Sequence, residues 1–195
     1  MPRSLDDRLD QPVAQPRLVI DPAVWRQLIA WARVTDSEVS GMGLLATEED
    51  DDLRLTRVFL LPQLGNAVAT QLDPGAMADL VGRLLDEDLD PAALRVWWHS
   101  HGREAPFWSG QDEHTIDGFA PAPMVSLVVD HRQRRLARLD RYVPVRDDPW
   151  LAVDGADPIA DFSEAELEAA RAEVRAVVGS LAVEPRMRPG MGHGD

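Results

Sequence analysis

His99 and His101 stand two residues apart, and Ser109 and Asp112 follow them across the intervening run Gly102 to Trp108. Side chains at i and i+2 of a strand share a face, so a strand through this segment presents both imidazoles together, with Trp97 beside them and Ser100 opposite. Asp112, eleven residues after His101, can return across a short loop. Two neutral imidazoles and one carboxylate leave a tetrahedral zinc with its fourth position open to water, the usual state of a catalytic zinc. Zinc lowers the pKa of such a water from about 15.7 to about 7. Iron in a two-His, one-carboxylate triad is the rival assignment. Iron oxygenases of that type usually place the acid two residues after the first His, where this chain has a second His, so zinc is preferred.

Water attack on an amide needs a group that takes a proton and returns it to the leaving amine. Glu38 is the candidate. A strand-end glutamate is otherwise an ordinary surface charge. Gly41 and Gly43, in the stretch Glu38-Val39-Ser40-Gly41-Met42-Gly43-Leu44-Leu45, set it apart, since small residues permit close backbone approach. Ser109 with an acid three residues on is also a capping pattern for a helix, and that cap fixes the turn carrying Asp112. Trp108 either anchors the loop or walls a substrate groove. His114 either lines the cleft or does neither, and Glu104 is a loop acid close to the ligands. His131, in a turn, and His193, near the end, read as solvated.

His99-x-His101, seven residues, then Ser109-x-x-Asp112 resembles the signature of the JAMM metalloproteases, the metal-binding MPN-plus domain. Glu38 on a glycine-bearing strand, and Asn66 after a hydrophobic strand and before Leu72-Asp73-Pro74, fit the same pattern. The resemblance spans residues 17 to 145. Gly102 departs from it, because many members have Pro there, and the departure bears on the stiffness of the loop. The resemblance implies an α/β fold of the α+β kind: a curved, mostly antiparallel mixed sheet flanked by helices, with cytidine-deaminase-like layering. It implies zinc on His99, His101 and Asp112, Glu38 as general base and acid, and Ser109 donating to the oxyanion. Losing such a donor raises a barrier by about 3 to 4 kcal/mol.

It also implies the substrate: a peptide or isopeptide bond after the C-terminal glycine of a ubiquitin-like protein, cut in deconjugation or precursor maturation. The short connections around the motif resemble those of compact prokaryotic members. That implies a bacterial setting, with activating and conjugating enzymes of one system as further partners. Extended tails bind by adding a strand to a sheet edge, and an edge near the ligand strand could serve. The alternatives are a general JAMM-type peptidase and a non-catalytic MPN scaffold, although scaffolds typically lack the ligands present here.

The elements that must position these residues are legible in part. Arg17 to Ile20 reads as a strand and Asp21-Pro22 as a helix start, with Trp25, Leu28, Ile29 and Ala32 on one stripe. Strands are expected at Glu38–Ala46 and Leu53–Leu61, forming a hairpin about an acidic turn. Asp73-Pro74 starts a second helix with Met77, Leu80, Val81, Leu84 and Leu85 inward. Leu94–His101 is a strand buried on both faces, and Ser109 opens a short helix to about Phe119. Met124–Asp130 and Arg135–Val145 pair across a polar turn. Residues 146–182 read as an acidic linker and a helix, capped by Ser163 and Glu166 and stapled by Phe162 and Leu167. Ala170, Val174, Val177, Val178 and Leu181 form its apolar face. Residues 1–16 read as a flexible arm and 183–195 as a disordered tail. Interleaved strands and helices favour a helix-covered mixed sheet in three layers.

Composition narrows the classes. With no cysteine, disulfides, Cys-based zinc sites and thiol nucleophiles are excluded, and so are zinc nucleobase deaminases, which need Cys ligands. A formal net charge of −14 disfavours nucleic acid and anionic membranes as partners. No apolar run reaches the roughly 18 residues of a membrane span, and residues 1–12 lack a signal-peptide core. The expectation is a cytoplasmic protein. Every one of the 20 basic residues is arginine. An Ala-, Arg-, Asp- and Pro-rich composition accounts for this, and avoidance of self-modification by a lysine-conjugating system is the alternative.

Overall fold

The computed structural model describes residues 17–47, 52–66, 69–72 and 74–180. The N-terminal arm, the tail with His193, Leu181, most of the acidic turn and the Asp73 cap lie outside the described residues. A seven-stranded mixed sheet is built from β1 (Arg17–Ile20), β2 (Ser40–Thr47), β3 (Leu53–Leu60), β6 (Leu94–Ser100), β7 (Met124–Val129), β8 (Arg135–Asp140) and β9 (Ala152–Asp154). Its order is β8-β7-β6-β2-β3-β1-β9. A smaller sheet joins β10 (Val178–Ser180), β4 (Gln63–Asn66) and β5 (Ala69–Leu72).

The large sheet is less antiparallel than expected. The pairs β7/β8, β6/β2 and β2/β3 are antiparallel, whereas β6/β7, β1/β3 and β1/β9 are parallel. The parallel pairs arise where a helix or a long crossover intervenes between strands, as parallel pairing requires. The ligand strand β6 is interior, with β2 on one side and β7 on the other. It offers no edge of its own for a peptide.

Helices cover both faces. On one face α1 (Pro22–Arg33) and α4 (Glu164–Val177) pack together. Trp25, Leu28 and Ile29 of α1 and Ala170 and Val174 of α4 join Val96, Trp98, Val125 and Leu127 of the sheet in one buried cluster. Trp31 stacks on Trp98 with ring centroids 5.4 Å apart. On the other face α2 (Pro74–Asp86) brings Leu80 and Leu84 against Met42, Trp97 and Met124, and Ile116 enters from α3 (Gly110–Asp117). Leu85, expected inward, is 60% exposed, because it falls on the outer flank of that stripe.

Two local expectations are corrected. Asp21 precedes α1 without capping it by its side chain, and its carboxylate instead accepts from Arg54 Nε at 2.7 Å. The stretch expected as a linker is part of the sheet. Leu151 N–H donates to Ala137 O at 2.9 Å and Leu139 N–H to Pro149 O at 3.0 Å, along the outer side of β8. Residues 152–154 then pair with β1 as β9. One strip of chain thus bonds both outer strands and nearly closes the sheet. Ser163 and Glu166 do form the capping box of α4, and no helix among the described residues is long and apolar enough to cross a membrane.

Candidate metal centre

β6 carries Trp97 and His99 on the face toward α2 and α3, and Trp98 and Ser100 on the face toward α1. The Trp97 ring stacks on His99 at 4.6 Å. Ser100 turns away, and its Oγ accepts from Val39 N–H at 3.2 Å. His99 is fully buried and His101 is 6% exposed. Their Nε2 atoms converge to 3.0 Å, and Asp112 Oδ1 lies 3.4 Å from His99 Nε2. Asp112 Oδ2 is 4.0 Å from His101 Nε2. Ligand atoms about 2.0–2.1 Å from a tetrahedral zinc sit roughly 3.3 Å from one another, so these three side chains fit one metal ion. Among the described residues this is the one His/Asp/Glu group close enough to do so.

The surroundings prepare the ligands. Burial pushes the His99 imidazole down to about 4, with Asp112 opposing the shift and His101 adding to it. His99 is therefore neutral at pH 7, as a ligand must be. His101 Nδ1 lies 3.3 Å from Ala105 O, a contact that assigns the proton to Nδ1 and frees Nε2. His99 Nδ1 is buried without a hydrogen-bond partner. Asp112 serves two roles at once. Its Oδ2 accepts from Ser109 N–H at 2.6 Å while Ser109 Oγ accepts from Asp112 N–H at 3.2 Å, completing a capping box at the start of α3. The cap holds the carboxylate, leaving Oδ1 toward His99.

A cleft of about 500 Å³ opens beside His101 and is lined by Asp36, Glu38, Arg103, Glu104, Phe107 and Ser109. Glu38 precedes β2 by two residues. Burial, then the nearby charges of Asp112 and Glu104, pushes its carboxyl up to about 7. Gly41 is required where it stands: a Cβ there would meet Phe59 O of β3 at 1.8 Å. Gly102 has φ +52°, a left-handed conformation closed to proline, whose ring fixes φ near −65°.

Of the residues expected from sequence, His99, His101, Asp112, Glu38 and Ser109 come together. Trp108 does not line the cleft; its ring is 5.8 Å from that of His99 and packs in the α2/α3 core. His114 is exposed on α3, away from the cleft lining. His131 is half-buried rather than solvated, and its Nε2 bonds Thr35 O at 2.8 Å. Sequence reasoning missed Asp36, Arg103 and Phe107. Arg103 pairs with Asp36 at 2.9 Å across 67 positions. Phe107 meets His101 edge-on at 4.6 Å. Their only sequence signal is proximity to His101 for Arg103 and Phe107, and to Glu38 for Asp36.

Acidification provides a check on His99. In metal-free protein its folded pKa lies below the ordinary 6.5, so the unfolded chain binds more protons across that window and stability falls as pH drops from 6.5 toward 4. Glu38 acts oppositely, since its raised pKa contributes stability at low pH that is lost as pH rises toward 7. Its carboxyl is only partly buried, and solvent weakens its share. Melting temperatures of chelator-treated protein should fall between pH 6.5 and 4.5, and His99→Gln should flatten that slope. Equal slopes in the two proteins would mean that His99 is not held neutral.

No family model matches this sequence, and no curated protein matches it. Among solved structures, the chain is similar to the solution structure of protein DSY2949 from Desulfitobacterium hafniense, a structural-genomics target. The TM-score is 0.51 at 18% identity, covering 70% of this chain and 92% of that one. At that identity the likeness speaks for the fold alone.

Proposed function

We propose that this chain is a zinc hydrolase of the JAMM type, with MPN-like layering, that cuts the peptide or isopeptide bond after the C-terminal glycine of a ubiquitin-like protein. The observation that carries the reading is the convergence of His99, His101 and Asp112 beside a cleft that Glu38 and Ser109 also line. Zinc held by the three ligands would supply an activated water and polarise the attacked carbonyl. Glu38, placed at the cleft with a pKa near neutral, takes a proton and delivers it to the departing nitrogen. Ser109 lines the same cleft while its oxygen accepts from Asp112 N–H, so its hydroxyl hydrogen is available to a developing oxyanion. Asp36, Glu38 and Glu104 give the rim an acidic character.

The test uses glycine-terminated ubiquitin-like proteins, each fused to several different partners. Cleavage should follow the terminal glycine whatever lies beyond it. Chelation should abolish cleavage, and thiol reagents should leave it unchanged, since there is no cysteine. Replacing that glycine with a bulky residue should block the cut. Equal digestion of unstructured peptides would replace this reading with a general peptidase, and bound zinc without turnover would favour a scaffold. Elemental analysis separates zinc from iron.

A further inference from the structure

Asp112 sits on a helix of eight residues, too short to hold its own geometry in water. The capping box orders its first turn, but something must fix that turn against the sheet. Arg138 of β8 is placed to do so. It is 4% exposed, and two of its guanidinium nitrogens reach the two oxygens of Glu113, the residue after Asp112, at 2.7 Å each. Such a bidentate fork fixes orientation as well as distance. The same guanidinium lies 4.9 Å above the Trp108 ring, and Trp108 covers His99. Arg138 pairs in register with Ser126, which pairs with Trp97, whose ring stacks on His99.

The cost of this arrangement argues against stability as its sole use. Arg138 Nε is 2.9 Å from Asp140 Oδ1, and Asp148 Oδ2 is 3.6 Å from Nη1. Asp140 is fully buried and accepts from Ser126 Oγ at 2.6 Å. One cation thus faces three carboxylates, and buried ion pairs commonly stabilise no better than apolar side chains of similar volume. What the cluster provides is a defined position for α3 and Trp108.

We propose that Arg138 is the positioning residue of the metal centre, setting the Asp112 carboxylate through Glu113 and the cover of His99 through Trp108. This rests on the triad binding a metal ion. Glu113 is the link to break, because it is partly exposed and stands outside both apolar clusters.

The experiment measures the zinc dissociation constant by chelator competition, the visible spectrum of the cobalt-substituted protein, and the melting temperature of the metal-free protein. Glu113→Gln should weaken zinc binding by about 10- to 100-fold, the scale of outer-shell changes, and alter the cobalt spectrum. Its metal-free melting temperature should stay near that of the unaltered protein. Arg138→Lys keeps the charge and loses the fork, and should weaken zinc in the same range. The double variant should be no worse than the poorer single one, since both cut the Arg138–Glu113 link. Arg146→Gln, which removes the 3.4 Å contact of Arg146 Nη2 with Glu113 and spares the Arg138 fork, should leave zinc affinity near that of the parent. Glu166→Gln breaks a similar pair with Arg26 between α4 and α1 and should leave zinc affinity unchanged. Wild-type affinity and cobalt spectrum in Glu113→Gln would overturn the inference, as would an affinity loss matched by an equal loss of metal-free stability. If the unaltered protein binds no metal, the metal reading itself falls and takes this one with it.

Discussion

Glu38→Gln is expected to retain zinc and fold while its turnover on a matched fusion falls by about 100-fold or more, the usual scale of general acid–base catalysis. The carboxyl reaches the cleft from the extended residues before β2, and β2 pairs with the ligand strand so that Ser40 stands opposite His99. Its position is therefore tied to the ligands by backbone register. Its pKa of about 7 allows both proton acceptance and proton return near neutral pH, which few carboxyls do. Glutamine keeps the volume and removes the transferable proton. Single-turnover rates with metal content measured on the same sample check this. Near-normal turnover would move the role to another acid, Glu104 being the nearest alternative in the cleft.

His99→Ala should lose the metal altogether and reduce hydrolysis to background. The imidazole is fully buried, stacked on Trp97 and aimed at both other ligands. No neighbouring side chain in the triad can take its place, and two ligands hold zinc far more weakly than three. Asp112→Asn makes a useful contrast. An amide oxygen can still accept from Ser109 N–H, so the helix cap survives while the anionic ligand is lost; such caps are worth about 1 kcal/mol. Zinc content should drop in both variants, but the metal-free stability of Asp112→Asn should stay close to that of the parent. Full zinc retention in His99→Ala would remove β6 from the metal site.

The convergence of the triad was readable in the sequence because strand alternation and the Ser109/Asp112 cap are local rules. His99-x-His101 places both rings on one face whatever surrounds them, and the capping box needs only three residues of spacing. Helices α1 and α4 were readable for the same reason, from stripes and caps. Distant partners were not. Arg103 finds Asp36 and Arg138 finds Glu113 only after the sheet has formed, and any arginine in this chain could have been chosen. The strip at 147–154 was misread because its acidic, proline-containing composition resembles a linker; its bonds to β8 are close in sequence, but its pairing with β1 comes from the far end of the chain. β10 is short, and its pairing with β4 is likewise a product of tertiary structure.

That strip has a consequence for the order in which the molecule assembles. β1 opens the sheet at residue 17, yet one of its two sides meets its partner only at residue 152. Parallel pairing across so much chain is slow to find, because the loop must close before its contacts repay the entropy. During synthesis β1 can join β3 and α1 early, but its other flank waits until the last strand of the large sheet has emerged. The hairpin and both histidines of the triad are by then long made. The His99, His101 and Asp112 cluster can thus be complete in its sequence while the sheet that carries it is still open at both margins, and only the late arrival of 149–154 draws those margins together.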